Sequence, residues 1–344
     1  MFKIGDKTIT KHTPTYIIAE IGVNHNGSME LAKKTIDAAT AAGADAVKFQ
    51  TFKTEKLVSK KAKQAEYQIK NTGRVESQFE MLKKLELTEN DFRELKQYCE
   101  KKGIEFLSTP FDEESAVLLK ELGVHAYKIG SGDLTNIPFL SFLNTLNIPI
   151  ILSTGMATIS EIEEAVDALS DTDVSILHCT SVYPAPYNEV NLLAIQTIDR
   201  AFGKVVGYSD HTLGSAISLG AVMLGAKIIE KHFTLDQNLP GPDHKASLNP
   251  EELTEFITSV RNLESSLGDG IKKCTPSEES TKEVARKSIV TTVPLYEGEV
   301  ITEEKIAVKR PGTGIAPKHY SILLGKKVKR AVDQDEALTW DDLL

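Results

Sequence analysis

The chain has 344 residues, 41% of them hydrophobic, and a formal net charge of −9. That length and apolar content suffice for one large core plus a small domain. The acidic balance argues against nucleic acid as the main partner, because phosphate backbones want a basic face; a small anionic substrate stays compatible wherever basic residues converge.

Three cysteines, Cys99, Cys179 and Cys274, lie far apart without a CxxC spacing. This excludes a disulfide framework and a cysteine zinc site, and fits a reducing compartment. The opening stretch MFKIGDKTITK has no apolar signal-type run, and nowhere do about 18 apolar residues follow one another. A cytoplasmic protein with no membrane partner is the expectation.

In chain order, short apolar runs alternate with amphipathic stretches. YIIAE at 16–20 is the first strand, followed by SMELAKKTIDAATAAG, a helix capped by Ser28 and closed by Gly43. AVKFQ at 46–50 comes next, then the longest connection, residues 51–88, which is expected to overhang the site. EFLSTP (105–110), AYKIGS (126–131) and PIILST (149–154) follow, and TISEIEEAVDALS has the Thr158–Glu161 spacing of a capping box. VSILHCT (174–180), VVGYSD (205–210) and KIIEKHF (227–233) complete the set. NPEELTEFITSVRNLESSLG then starts a helix at Asn249-Pro250 and stops it at Gly268.

Eight strands alternating with helices predict an α/β fold, a closed (β/α)8 TIM barrel over residues 1–270. An open doubly wound sheet would want a glycine fingerprint after the first strand, and IGVNHNG lacks it. Residues 271–284, charged and rich in Ser and Thr, predict a linker; residues 285–344 predict a small β-rich domain built on SIVTTVPL, VITEEKIAVKRPG and LLGKKVKRAV.

All eight strands end polar, where a barrel carries its chemistry. The tips are Glu20; Lys48 and Gln50; Ser108 and Thr109; Lys128, Ser131 and Asp133; Ser153 and Thr154; His178 and Thr180; Ser209, Asp210 and His211; and Glu230, Lys231 and His232. His211 and His232 end neighbouring strands, so two neutral imidazoles can share a divalent ion that acts as a Lewis acid on a carbonyl oxygen. His178 and His25 are expected to be structural. Lys48, Lys128 and Lys231 sit in apolar strands and need anions. With Thr109, Ser131, Ser153 and Ser209 they describe a pocket for a small polyanion carrying phosphate and carboxylate. Lys231 has the alternative of pairing with Glu230 or Glu20. A Schiff-base aldolase using Lys128 or Lys231 is a rival chemistry.

The motifs IAEIGVNHNG, GADAVKFQ, LSTPFD, YKIGSG, ILSTGM, LHCTSVYPAP, GYSDHT, EKHFTLD, GPDHKASL and VKRPGTGI span nearly the whole chain. Together they closely resemble the sialic acid synthase family. The resemblance implies a metal-dependent condensation of phosphoenolpyruvate with an N-acetylated mannosamine-type sugar, with Mn²⁺ as the metal and Mg²⁺ or Co²⁺ as alternatives. It implies His211 and His232 as metal ligands, and Lys48, Thr109, Lys128, Ser131, Ser153 and Ser209 around phosphoenolpyruvate. Glu20 matches the carboxylate near the reacting carbons. Gln50, Ser181, Tyr183 and Asp243 fall on the sugar side.

By the same resemblance the C-terminal domain is an antifreeze-like (SAF) β-clip, and Arg310 reaches the barrel of a partner in a domain-swapped homodimer. Ser181 stands where neuraminate members commonly carry Asn. KAKQAEYQIK, ESQFEMLKKLEL and SGDLTNIPFL resemble legionaminic acid synthases, which use 2,4-diacetamido-2,4,6-trideoxymannose. N-acetylmannosamine is the second substrate to consider, and a pseudaminic acid synthase resembles the chain less. A non-catalytic carbohydrate- or ice-binding protein would leave the polar rim without a purpose.

Overall fold

The eight apolar runs become parallel strands that close on themselves in sequence order. In this computed structural model, which describes residues 1–65, 68, 69, 71 and 76–344, an antiparallel hairpin comes first, β1 (Phe2–Ile4) with β2 (Lys7–Ile9). The barrel follows as β3 (Tyr16–Gly22), β4 (Ala46–Thr51), β5 (Glu105–Pro110) and β6 (Tyr127–Ile129), then β7 (Ile150–Ser153), β8 (Val174–Cys179), β9 (Val206–Asp210) and β10 (Ile228–His232). β10 pairs with β3 and shuts the sheet.

Side-chain alternation divides the core in two. Ile17, Ala19, Val47, Phe49 and Phe106 face outward and pack with helix residues such as Ile36, Leu95 and Leu119. Ile18, Ala46, Leu107, Ile151, Leu177 and Ile228 face inward and meet Phe2, Ile4 and Ile9, so the hairpin plugs the amino-terminal end of the barrel. That leaves the carboxyl ends of the strands as the open mouth.

Local signals place the helices. The Ser28 side chain accepts the Leu31 N–H ahead of helix Met29–Ala42, and Gly43 ends that helix at φ 88°, a left-handed conformation that favours glycine. Thr158 and Glu161 form the reciprocal capping box of helix Ile159–Ala168, and Asn249 with Glu252 does the same for Pro250–Ser266. The connection after β4 carries short helices at Thr54–Leu57 and Gln78–Lys83. Within KAKQAEYQIK, residues 66, 67 and 70 lie outside the described residues, as do 72–75.

The chain divides into two compact units, Met1–Leu267 and Gly268–Leu344. The stretch 271–284, expected to be a linker, carries a 3-10 turn at Pro276–Glu278 running into helix Glu279–Ala285. Thr275 and Glu278 supply a capping box there, a signal that the charged composition concealed. The second unit pairs β11 (Ser288–Thr291) with β12 (Ile306–Lys309) around Ile289, Leu295, Ile301, Leu323, Val328 and Leu338. Among the described residues no helix is long and apolar enough to cross a membrane.

Candidate active site

Which polar tips reach the barrel interior is decided by the parity of each strand. Glu20, Lys48, Gln50, Thr109, Lys128, Ser153, Ser209, Glu230 and His232 share the inward parity of the plugged core and line a cavity of about 350 Å³ at the mouth. Residues just past the strand ends, Ser131, Ser181, Tyr183, His211 and Asp243, complete its walls. Arg310 belongs to the second unit, where it is exposed just after β12.

The opposite parity sends other rim residues elsewhere. Ser108 shares a 2.7 Å hydrogen bond with Thr51. His178 stacks on Tyr208 and is bonded through Nε2 to the Val190 carbonyl at 2.6 Å, a packing role. His25 packs near Phe49 and accepts the Gly27 N–H, and burial pushes its pKa down to about 4. The expectation that Lys231 joins the anion pocket is corrected. Its ammonium lies 2.8 Å from Asp210, not against Glu230 or Glu20, because a residue between Glu230 and His232 must face the other way. Lys231 is therefore no Schiff-base candidate in this cavity.

On the cavity floor the charges alternate. Lys48 Nζ lies 2.6 Å from Glu20 Oε2 and 3.8 Å from Glu230 Oε2, and donates to the Thr109 hydroxyl at 3.0 Å. Lys128 Nζ lies 3.5 Å from Glu230 Oε1, which also accepts the Ser209 hydroxyl at 2.8 Å. Burial opposes ionisation of both carboxyls. Lys128 and Lys48 overcome it at Glu230 and hold that group below the usual range, whereas Glu20, helped mainly by Lys48 and facing Glu230, is raised above it. Of the two carboxyls, Glu20 is thus the more easily protonated.

A bulge between Glu20 and Gly22 aims that carboxylate. Gly22 has φ +55°, and a Cβ there would sit 3.0 Å from Glu20 Oε1 and 3.3 Å from Gln50 Nε2. Gln50 Nε2 in turn donates to Glu20 Oε1 at 3.3 Å. Gln50, expected on the sugar side, lines the cavity and bonds Glu20 there.

The two imidazoles lie side by side, ring centroids 5.5 Å apart, with Tyr183 packed 4.0 Å from His211 and 5.5 Å from His232. His211 Nδ1 meets the Thr180 carbonyl at 2.8 Å. A carbonyl only accepts, so Nδ1 carries a proton, and in the neutral ring Nε2 then keeps its lone pair, the arrangement that metal-ligating histidines favour. Among the described residues, buried His232 Nδ1 finds no hydrogen-bond partner, and neither does Ser153 Oγ or Asp243 Oδ1. Burial raises the Asp243 carboxyl to about 6. Orphaned buried polar atoms around one cavity are what an absent ligand would satisfy. The histidine pair fits a divalent cation with open positions; among the described residues no group of three or more metal-ligating side chains gathers.

Sequence reasoning missed three features. Glu230 is the hub of the floor, a role that its i, i+2 spacing from His232 could have signalled. Cys179 lines the cavity with Sγ 3.7 Å from His211 Nδ1. Leu57, Val58, Met81, Leu82 and Phe111 form an apolar wall, most of it supplied by the long connection after β4.

Comparison with known proteins gives the same outline. The NeuB family pattern matches residues 35–272, and the SAF domain pattern matches residues 286–344. An N,N'-diacetyllegionaminic acid synthase of Campylobacter jejuni is 50% identical, over 94% of this chain and 98% of its own. One from Legionella pneumophila is 46% identical, over 95% and 94%. A crystal structure of an N-acetylneuraminic acid synthetase from Leptospira borgpetersenii superposes with a TM-score of 0.72 at 36% identity, covering 81% of this chain and 94% of that one.

Proposed function

Because the chain belongs to the NeuB family, the sialic acid synthases, we propose that it is a transferase joining phosphoenolpyruvate, water and an N-acetylated mannosamine-type sugar in its open-chain aldehyde form. The products are a nine-carbon nonulosonic acid and phosphate. In this reading the sugar is 2,4-diacetamido-2,4,6-trideoxymannose, ahead of N-acetylmannosamine.

One observation carries the proposal: the cavity has two chemically different sides. Its floor offers Lys48 and Lys128 with the hydroxyls of Thr109, Ser131, Ser153 and Ser209, suited to a phosphate and a carboxylate. Its outer wall of Leu57, Val58, Met81, Leu82 and Phe111 suits the C6 methyl and the acetyl methyls of a deoxy sugar. The extra hydroxyls of N-acetylmannosamine would lose water there without finding partners.

The side chains then divide the work. Lys48 and Lys128 neutralise phosphoenolpyruvate and, with the hydroxyls, hold its C3 towards the aldehyde carbon. The C2=C3 π pair attacks the aldehyde carbon, the carbonyl π pair moves onto the aldehyde oxygen, which takes up a proton, and positive character develops at C2. Water adds at C2 while Glu20 accepts one of its protons; the hydroxyl so formed then gives its remaining proton to the departing phosphate as C2=O forms and the C2–O bond to phosphate breaks. Asp243, through its unpartnered Oδ1, accepts a hydrogen bond from the sugar, beside Ser181 and Tyr183. His211 and His232 would hold the divalent cation, Mn²⁺ in this reading, which supplies Lewis-acid stabilisation of charge on the aldehyde oxygen. Arg310 enters from the C-terminal unit of a second copy in a homodimer. Lys128 is the one Schiff-base candidate left among the barrel lysines considered, but phosphoenolpyruvate already carries the electron pair that an enamine would have to create.

The test is phosphate release from phosphoenolpyruvate with each sugar in turn, with and without Mn²⁺. The diacetamido sugar should give the higher kcat/KM. Preference for N-acetylmannosamine would overturn the sugar assignment, and no release with either would overturn the reaction.

A further inference from the structure

The outer face of the same strand ends carries a second polar cluster, one that the reaction does not touch. Lys231 on β10 and Asp210 on β9 are direct cross-strand partners, just as Glu230 is opposite Ser209 on the cavity side. Lys231 Nζ donates to Asp210 Oδ2 at 2.8 Å and to the Thr212 carbonyl at 2.7 Å. Asp210 Oδ2 also accepts the Ser218 hydroxyl at 2.6 Å, and Oδ1 accepts both the N–H and the hydroxyl of Thr212 at 2.8 Å. Both charged side chains are fully buried.

Stability alone does not explain such a pair, because replacing a buried ion pair by apolar groups is often neutral or favourable. Register does. Slipping β10 by one residue would turn Lys231 into the cavity and His232 out of it, and would strand Asp210 without its cation. Thr212 is tied at its N–H, its carbonyl and its hydroxyl, so the turn after His211 is braced from behind. In front, His211 is tied to Thr180. The cluster therefore grips the immediate neighbours of both histidines and neither imidazole.

We propose that the Lys231–Asp210 pair, with Thr212 and Ser218, is a register lock that sets the spacing of His211 and His232, making Lys231 and Asp210 positioning residues for cation binding. This rests on the reading of the two histidines as cation ligands.

The test compares the wild type with Lys231→Met and with the double variant Lys231→Met/Asp210→Asn, which leaves no buried charge and keeps partners for the Thr212 N–H and hydroxyl and for Ser218, though not for the Thr212 carbonyl. Mn²⁺ affinity is measured by electron paramagnetic resonance with no substrate present, and kcat and KM at saturating Mn²⁺. Both variants should bind Mn²⁺ about 10–100-fold more weakly and lose kcat to a similar degree. KM for phosphoenolpyruvate should stay within about twofold, since Lys48 and Lys128 lie on other strands. A folded variant with wild-type Mn²⁺ affinity and kcat overturns the proposal. Should both fail to fold, Ser218→Ala, which removes one bond from Asp210, decides the question at an amplitude of a few-fold. If the wild type binds no Mn²⁺, or His211→Ala does not weaken binding, the cation reading fails instead. The fall of kcat at constant KM then still decides whether the pair positions the histidines.

Discussion

Lys48 reaches Glu20 at 2.6 Å inside a barrel mouth where both side chains are almost wholly removed from solvent. The pair is not a closed unit: Lys48 also bonds Thr109 and faces Glu230, and burial keeps the Glu20 carboxyl easier to protonate than usual. An arriving anion can claim the ammonium and leave Glu20 to act on water. Glu20→Gln keeps the size and one hydrogen-bond acceptor but cannot take a proton. Phosphoenolpyruvate affinity, measured by calorimetry, should stay within a few-fold, while kcat falls by about 10²–10⁴. Unchanged turnover would remove Glu20 from the water step.

Chelation separates the two chemistries that barrel lysines and histidines permit. Treatment with EDTA should abolish phosphate release and Mn²⁺ should restore it, whereas borohydride added with substrates should leave Lys128 unmodified by mass spectrometry. Trapping on Lys128 together with indifference to EDTA would establish the aldolase chemistry in its place.

Met81 comes from the long connection after β4 and belongs to the apolar wall. Met81→Thr puts a hydroxyl where a sugar methyl is expected to rest. Discrimination between the diacetamido sugar and N-acetylmannosamine, as a ratio of kcat/KM, should shift towards the latter by about tenfold. A ratio that does not move would take this wall out of sugar selection.

His244 lies in the short 3-10 turn beside Asp243, bonded to the Thr234 hydroxyl at 2.7 Å and to Asn26 at 3.2 Å, and burial lowers its pKa to about 4. Between pH 4 and the ordinary value of 6.5 the unfolded chain binds a proton here that the folded chain refuses, so this group's contribution to stability is lost as pH falls. His244→Gln removes the titration at the cost of hydrogen bonds whose effect does not depend on pH. The stability gap between wild type and variant in urea should narrow by about 2 kcal/mol from pH 7 to pH 5. Raised carboxyls such as Asp243 act with the opposite sign in both proteins and cancel in this difference. A gap independent of pH would mean that the fold leaves the His244 titration where the unfolded chain has it.

Much of the molecule was legible along the chain because the signals are local. Ser28 with Gly43, Thr158 with Glu161, and Asn249 with Pro250 each mark a helix end through contacts a few residues apart. Eight apolar runs with polar tips are legible for a similar reason: a strand buried on both faces is mostly apolar until it reaches the mouth. The sequence by itself therefore determined the barrel, the small second domain and the candidate groups Glu20, Lys48, Lys128, His211 and His232. It could not say which of Glu230 and Lys231 faces the substrate. That depends on parity, which a closed sheet imposes by pairing β10 with β9 and β3 at once. The sequence led to the expectation that the long connection overhangs the mouth, but it could not say that Leu57, Val58, Met81 and Leu82 are the side chains lining the cavity, or that Glu230 rather than Glu20 keeps the full benefit of two lysines. Those outcomes rest on groups distant in sequence and adjacent in space, and only tertiary contact decides charge and solvation between such groups.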